Sequence, residues 1–247
     1  MNKELRQKSA SVARLIVEVL RSVLKSLGWR LAAGLLSAIG AIIFFGWLAS
    51  EVFEGETRAF DDTVRNAVHQ TTSPLITATM FFFTYLGSVW GITALFAFAS
   101  AILTYLHHKR ATIILWIMMA GEVILEIALK NSFQRPRPAP FFDFPLPSSY
   151  AFPSGHAFAS LCFFGVTAWL ITTQTKNRGL KITVWLTAMF LILIIGLSRI
   201  YLGVHYPSDV IAGYAAGLIW LVTVIFGDWW WRRRHPSSLH KPVNRSA

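Results

Sequence analysis

The apolar residues of this 247-residue chain are gathered into six blocks, and that blocking restricts the fold more than any other feature. Charge-free or nearly charge-free runs cover Leu31 to Ala49, Gly87 to Leu106, Ala111 to Leu129, Ala157 to Thr173, Ile182 to Leu197 and Val210 to Gly227. Most approach the ~20 residues that carry a helix across bilayer hydrocarbon. A helix satisfies all of its own backbone groups there, so the runs predict an all-α, polytopic membrane protein with a bundle of six transmembrane helices. A soluble helical protein would need polar faces at 3.6-residue spacing, which these runs do not show. The first run begins at Leu31, too far in for the short leader of a cleavable secretory signal. The single cysteine, Cys162, lies inside a span, so neither a disulfide framework nor a cysteine metal site is available.

A formal net charge of +11 could suggest a nucleic-acid partner, but the placement of the charges follows the membrane instead. Cytoplasmic loops hold the excess of Lys and Arg. Segment 1–30 carries seven, residues 107–110 two, residues 174–181 three and the tail from Asp228 five, which places 17 of the 23 on one side. Glu51, Glu54, Glu56, Asp61, Asp62, Asp143 and Asp209 fall on the other. The expectation is a multi-pass protein of the cell's inner membrane with both termini cytoplasmic and no nucleic-acid partner. Three regions follow: a basic segment at 1–30, a six-helix membrane domain at 31–230 and a basic tail at 231–247.

Within the first region, Val12, Leu15, Ile16, Val19, Leu20, Val23, Leu24 and Leu27 recur at helical spacing against Arg14, Arg21 and Lys25. This predicts an amphipathic helix on the inner membrane surface, with docking to a protein partner as the alternative. Nothing in the sequence calls for an obligate protein partner. Residues 57–70 predict a short amphipathic helix on the outer side, with Asp61 or Asp62 as a first-turn charge complementing the helix dipole. Residues 71–86 are apolar with Pro74 near their start and predict a re-entrant or surface helix. His107 and His108 fall on the cytoplasmic side as topology residues.

Three segments carry the residues able to do chemistry. Lys130, Arg135 and Arg137 stand between the third and fourth spans, followed by Pro153-Ser154-Gly155-His156 at the start of the fourth. Ser198-Arg199 ends the fifth span, and His205 and Asp209 lead into the sixth. On the expected topology all three segments meet at the outer face. The positive-inside tendency disfavours Lys130, Arg135, Arg137 and Arg199 there, so an anionic ligand is the natural explanation.

The pattern Lys130-x6-Arg137-Pro138, Pro153-Ser154-Gly155-His156 and Ser198-Arg199-x5-His205-x3-Asp209 resembles the tripartite signature of the type-2 phosphatidic acid phosphatase superfamily. Each part alone is a weak match, but the three in order and between the right spans are highly specific. The resemblance covers residues 60–227. It implies a membrane phosphatase acting on a lipid phosphate or diphosphate, such as phosphatidate, phosphatidylglycerophosphate or undecaprenyl diphosphate, with no metal and no cofactor. It further implies His205 as nucleophile, Asp209 as its partner and His156 as general acid, with Lys130, Arg137, Arg199, Ser154 and Gly155 holding the phosphate.

Those residue types suit the chemistry. A phosphoryl group in transfer spreads negative charge over its equatorial oxygens, so catalysis is largely positioning and electrostatic stabilisation. Two guanidiniums offer bidentate forks. A helix beginning at Ser154 and Gly155 would present unpaired N–H groups to an anion. Arg135 lies outside the signature and reads as a membrane-edge anchor. Glu122, Glu126 and Lys130 share one helix face, so Glu126 either orients Lys130 or makes a structural interhelical bond. Phe141, Phe142, Phe144, Tyr150 and Phe152 make the loop from Pro138 to Pro153 an interfacial anchor or a lip over entering lipid.

Two other functions fit some of these features. A transporter would explain intramembrane carboxylates, but its site belongs near mid-membrane rather than at one surface. A lipid phosphotransferase of the same fold would use the same residues with an acceptor lipid in place of water.

Overall fold

The computed structural model describes residues 29–143 and 147–235, and the predicted amphipathic helix near the N-terminus and most of the basic tail lie outside them. Eight helices and no strand occur among the described residues: α1 (Trp29–Glu54), α2 (Arg58–His69), α3 (Pro74–Leu86), α4 (Val89–Tyr105), α5 (Lys109–Phe133), α6 (Gly155–Gln174), α7 (Arg178–Tyr201) and α8 (Pro207–Arg234). Five of them, α1 from Ala33 onward, α5, α6, α7 and α8, are long and apolar enough to cross a membrane. A bent pair of helices is the sixth candidate. α3 and α4 pass the same test only together, and they meet at a 55° bend.

The break has a local cause. Gly87 caps α3, and Ser88 starts α4 by accepting the Gly91 N–H on its hydroxyl at 3.1 Å. Such a cap satisfies an orphan donor at a helix start inside a continuous apolar sequence. The run from Gly87 to Leu106 is therefore long and apolar enough for a crossing only together with the segment at 71–86, which forms α3 and packs along α7.

The other elements follow their patterns. α2 occupies Arg58–His69, as its amphipathic spacing predicts. α8 begins with Pro207 in its first turn, where the missing N–H costs nothing. α6 is the central helix, with 56% of its span window buried against 22% for α1 and for α7, and it packs against α5, α7 and α8. Lipid is as apolar as leucine, so close backbone approach has to hold such helices together. Gly213 allows it here, since a Cβ on that residue would lie 2.6 Å from the Ser154 carbonyl oxygen. The tightest α6–α8 approach thus falls at the ends that carry Ser154 and Asp209. Away from it, Leu115, Met118, Phe158, Cys162, Val166 and Leu221 fill the interior.

Candidate active site

Four chain segments converge at one end of the bundle: the last turn of α5 with the loop behind it, the first turn of α6, the last turn of α7, and the turn into α8. Their functional side chains are nearly all enclosed. Ser154 and Asp209 are fully buried, His205 is 1% exposed, Arg199 2% and Lys130 8%.

His205 is held at both ring nitrogens. Its Nδ1 lies 3.3 Å from Asp209 Oδ2, and its Nε2 lies 2.8 Å from Arg137 Nη1. A guanidinium can only donate, so it selects the tautomer with the proton on Nδ1, facing the carboxylate, and the lone pair on Nε2. Burial, and then Arg137, Arg199 and Lys130, push the imidazole well below its ordinary value near 6.5. His205 is therefore a neutral ring with its lone-pair nitrogen turned toward a cationic pocket.

Asp209 occupies the third position of α8. Its Oδ2 accepts the Tyr206 backbone N–H at 2.9 Å, and its backbone oxygen accepts the Ser154 N–H at 2.9 Å, joining the starts of α8 and α6. Its Oδ1 is 2.5 Å from Arg135 Nη1. The expectation that Arg135 is a membrane-edge anchor is therefore corrected. Its guanidinium bridges Asp209 to Asp61 of α2 at 2.8 Å and lies 4.2 Å from the Tyr206 ring centre. Burial opposes the Arg135 charge, but Asp209 and Asp61 more than offset that, and its net shift is upward.

Asp61 is likewise more than a first-turn charge. It is fully buried and accepts the Ser208 backbone N–H at 2.9 Å and the Ser208 hydroxyl at 2.7 Å. Nothing in the sequence pairs residues 61, 135 and 208, because α2, the loop after α5 and α8 each bring in one of them.

The cations lie around His205. Arg137 donates to the Ser149 backbone oxygen at 2.8 Å and, through a second nitrogen, to the Ser149 hydroxyl at 3.2 Å. Lys130 reaches the same hydroxyl at 3.4 Å and pairs with Glu126 at 2.6 Å. Ser149 thus sits between two cations, where an anionic oxygen would be equally well received. Burial lowers the Arg137 pKa, partly offset by Asp209 and Glu126. Arg199 is anchored through the Thr84 hydroxyl of α3, which ties the bent helix pair to the site.

Ser154 caps α6, and its buried hydroxyl has no hydrogen-bond partner. An uncompensated buried hydroxyl is costly, and here it stands beside the N-terminal N–H groups that favour an anion. Gly155 follows with its Cα against Glu126: a Cβ there would lie 2.0 Å from Glu126 Oε1. His156, half-buried, lines a cavity of about 320 Å³ together with Gly87, Ser88, Trp116, Glu122 and Glu126.

Three aromatics of the loop after α5 pin its described ends to the protein. Phe152 is fully buried against Phe45 and Phe133, Phe141 stacks on His69 at 4.1 Å and Phe142 on Tyr201 at 5.6 Å. Tyr150 is 38% exposed, and Phe144 lies outside the described residues.

The cluster gives one imidazole an oriented lone pair inside a ring of three cations and sets a second imidazole beside an apolar cavity. The sequence model of the PAP2 superfamily matches residues 110–234, just over half of the chain. The chain belongs to that superfamily. Among PAP2 relatives, phosphatidylglycerophosphatase B of Bacillus subtilis is 25% identical over 185 residues, covering 73% of this chain and 89% of that protein. The undecaprenyl-diphosphatase of Sulfolobus acidocaldarius is 34% identical over 73 residues, 30% of this chain and 31% of its own. The crystal structure of a transmembrane PAP2-type phosphatidylglycerolphosphate phosphatase from Bacillus subtilis superimposes with a TM-score of 0.73 at 25% identity, covering 78% of this chain and 96% of that one. This PAP2 protein is thus a multi-pass membrane phosphatase, with the helical architecture its apolar runs predict.

Proposed function

We propose that the protein hydrolyses a lipid phosphate or diphosphate at the extracytoplasmic face of the membrane, through a phosphohistidine on His205. The observation that carries this reading is the double hold on His205, with Asp209 on Nδ1 and the cationic pocket at Nε2.

The reaction runs in two displacements. Phosphate enters among Lys130, Arg137, Arg199, the Ser154 hydroxyl and the N–H groups at the start of α6. Arg137 turns from Nε2 to the phosphate oxygens, freeing the lone pair. Nε2 then forms a bond to phosphorus as the bond from phosphorus to the lipid oxygen breaks. Asp209 stabilises the imidazolium-like ring, and His156 gives its proton to the departing oxygen. Water next attacks phosphorus, returns one proton to His156 and releases inorganic phosphate and neutral His205. Every charge in this scheme comes from side chains already in place, and no step calls for a metal.

Relatives named for phosphatidylglycerophosphate and undecaprenyl diphosphate support a lipid substrate without choosing one. Phosphate release by the purified protein from a panel of phosphatidate, phosphatidylglycerophosphate and undecaprenyl diphosphate, in the presence of chelator, tests the reading. Loss of all activity in chelator that returns with Mg²⁺ would overturn the mechanism. Product analysis with and without an acceptor lipid separates hydrolysis from phosphotransfer. The proposed face is tested by labelling single cysteines from outside, which should reach position 149 and spare position 234.

A further inference from the structure

At the end of the bundle opposite His205, α5 and α8 leave between them a groove of about 740 Å³ that the phosphatase reaction does not use. Its walls include Ile113, Ile117 and Trp231, which are 58%, 50% and 59% exposed, so they turn toward the surrounding hydrocarbon. Its mouth is charged. Asp228, with a side chain only 5% exposed, accepts from Arg110 Nε at 2.7 Å and pairs with Arg232 at 3.1 Å. Lys109 stands at the same mouth. Two arginines share one carboxylate and Lys109 stands beside them, which leaves two positive charges in excess.

The position along the membrane is equally specific. Lys109 and Lys130 are the two ends of one continuous helix, about 30 Å apart at 1.5 Å per residue. That is the thickness of the bilayer hydrocarbon. The charged mouth therefore lies at the membrane boundary opposite the active site, and the apolar groove runs from it toward the midplane.

We infer that this groove holds one anionic phospholipid of the leaflet opposite the active site, its phosphate on Lys109 and the Arg110–Arg232 pair and an acyl chain along Ile113, Ile117 and Trp231. The occupant is a lipid rather than free phosphate because most of the groove is apolar and opens to hydrocarbon. A net negative headgroup matches the excess charge, whereas a zwitterionic one does not. The chain's own segment 1–28 is itself basic, and the mouth repels it.

Gly227 lines the groove, and a Cβ on it would meet nothing within 4 Å. A leucine there would project into the groove in the path of an acyl chain, its Cβ meeting no protein atom. The full chain is taken from bilayers of phosphatidylcholine with a minor fraction of phosphatidylglycerol, and retained lipid is read by native mass spectrometry. One phosphatidylglycerol should be retained in preference to phosphatidylcholine. Gly227→Leu should lose it, and Lys109→Gln should weaken the preference about fivefold, the effect of one basic residue at a membrane surface. Unchanged hydrolysis of nitrophenyl phosphate by both variants shows that they are folded. Equal retention of the two lipids, or retention of phosphatidylglycerol by folded Gly227→Leu, overturns the inference. So does crosslinking of segment 1–28 to a photoreactive residue at position 227.

Discussion

Arg135 approaches Asp209 to 2.5 Å on the carboxylate oxygen that His205 does not use. The same guanidinium reaches Asp61, so the partner of the proposed nucleophile is fixed from outside the helix that carries it. Arg135 acts on the reaction through Asp209, as a positioning residue. Arg135→Ala removes the cation that bridges the buried Asp209 and Asp61, and losing one partner of a buried ion pair typically costs about 3–5 kcal/mol. The expected result is a lower melting temperature and a fall in kcat with little change in KM. Arg137→Ala should instead raise KM and leave the melting temperature nearly unchanged, and Arg135→Lys should recover part of both losses. Equal KM effects from Arg135 and Arg137 would place both on the substrate.

The two histidines should fail differently. His205→Ala forms no phosphoenzyme and should be inactive on every substrate. His156→Ala still permits attack, but the lipid oxygen must then leave unprotonated, and the ~10²–10⁴-fold supplied by general acid catalysis is lost. A nitrophenyl ester leaves readily without a proton, so this variant should keep far more of its activity on it. Rapid quench for acid-labile phosphoenzyme decides the assignment. Failure of His156→Ala to become phosphorylated would reverse the roles.

Because burial and three cations hold His205 below 6.5, its neutral form persists into mild acid. The acid limb of kcat/KM that belongs to this group should lie below pH 6.5. Its effect on stability has the matching sign. The unfolded chain takes up a proton below its own value near 6.5 before the folded chain does, so this residue lowers folding stability as the pH falls below 6.5 and has no effect well above it. Imidazole NMR titration reads the pKa directly. Arg137→Gln should move it partway toward 6.5, since burial is the larger cause and remains.

Gly155 and Glu126 should be coupled. A methyl group at position 155 drives the Glu126 carboxylate away, and that carboxylate holds Lys130. Gly155→Ala should raise KM about tenfold or more, the scale of a hydrogen bond to a charged group. On a Glu126→Ala background the same substitution should add little, and full additivity would separate the two residues.

The sequence was most informative where one segment carries the signal. Apolar runs, the α2 pattern and Pro207 each report a local preference, and the structure follows them. The signature residues were legible because residue type and spacing are both restricted. Arg135 was not, because its two partners lie 74 residues away in each direction, at Asp61 and Asp209. An arginine among prolines at a membrane edge has the same local appearance whether it faces lipid headgroups or two buried carboxylates. The boundary between residues 86 and 87 was legible as the start of an apolar run, but the uncharged Gly87 and Ser88 gave no sign of the 55° bend at which α3 and α4 meet. Ser149, between Lys130 and Arg137, had no signal at all. Only the folded loop brings its hydroxyl to both.

The contact between the Ser154 N–H and the Asp209 carbonyl oxygen also has a consequence for how the enzyme is made. Synthesis delivers Lys130 and Arg137 first, then Ser154 and His156, and His205 and Asp209 only with the last crossing. Until α8 has entered the bilayer, the Ser154 N–H lacks its carbonyl acceptor, and Asp61 and Arg135 have no third partner. On the proposed mechanism, a ribosome stalled before residue 205 therefore leaves an inert chain in the membrane, and the ability to cleave phosphate arises only as the final helix docks.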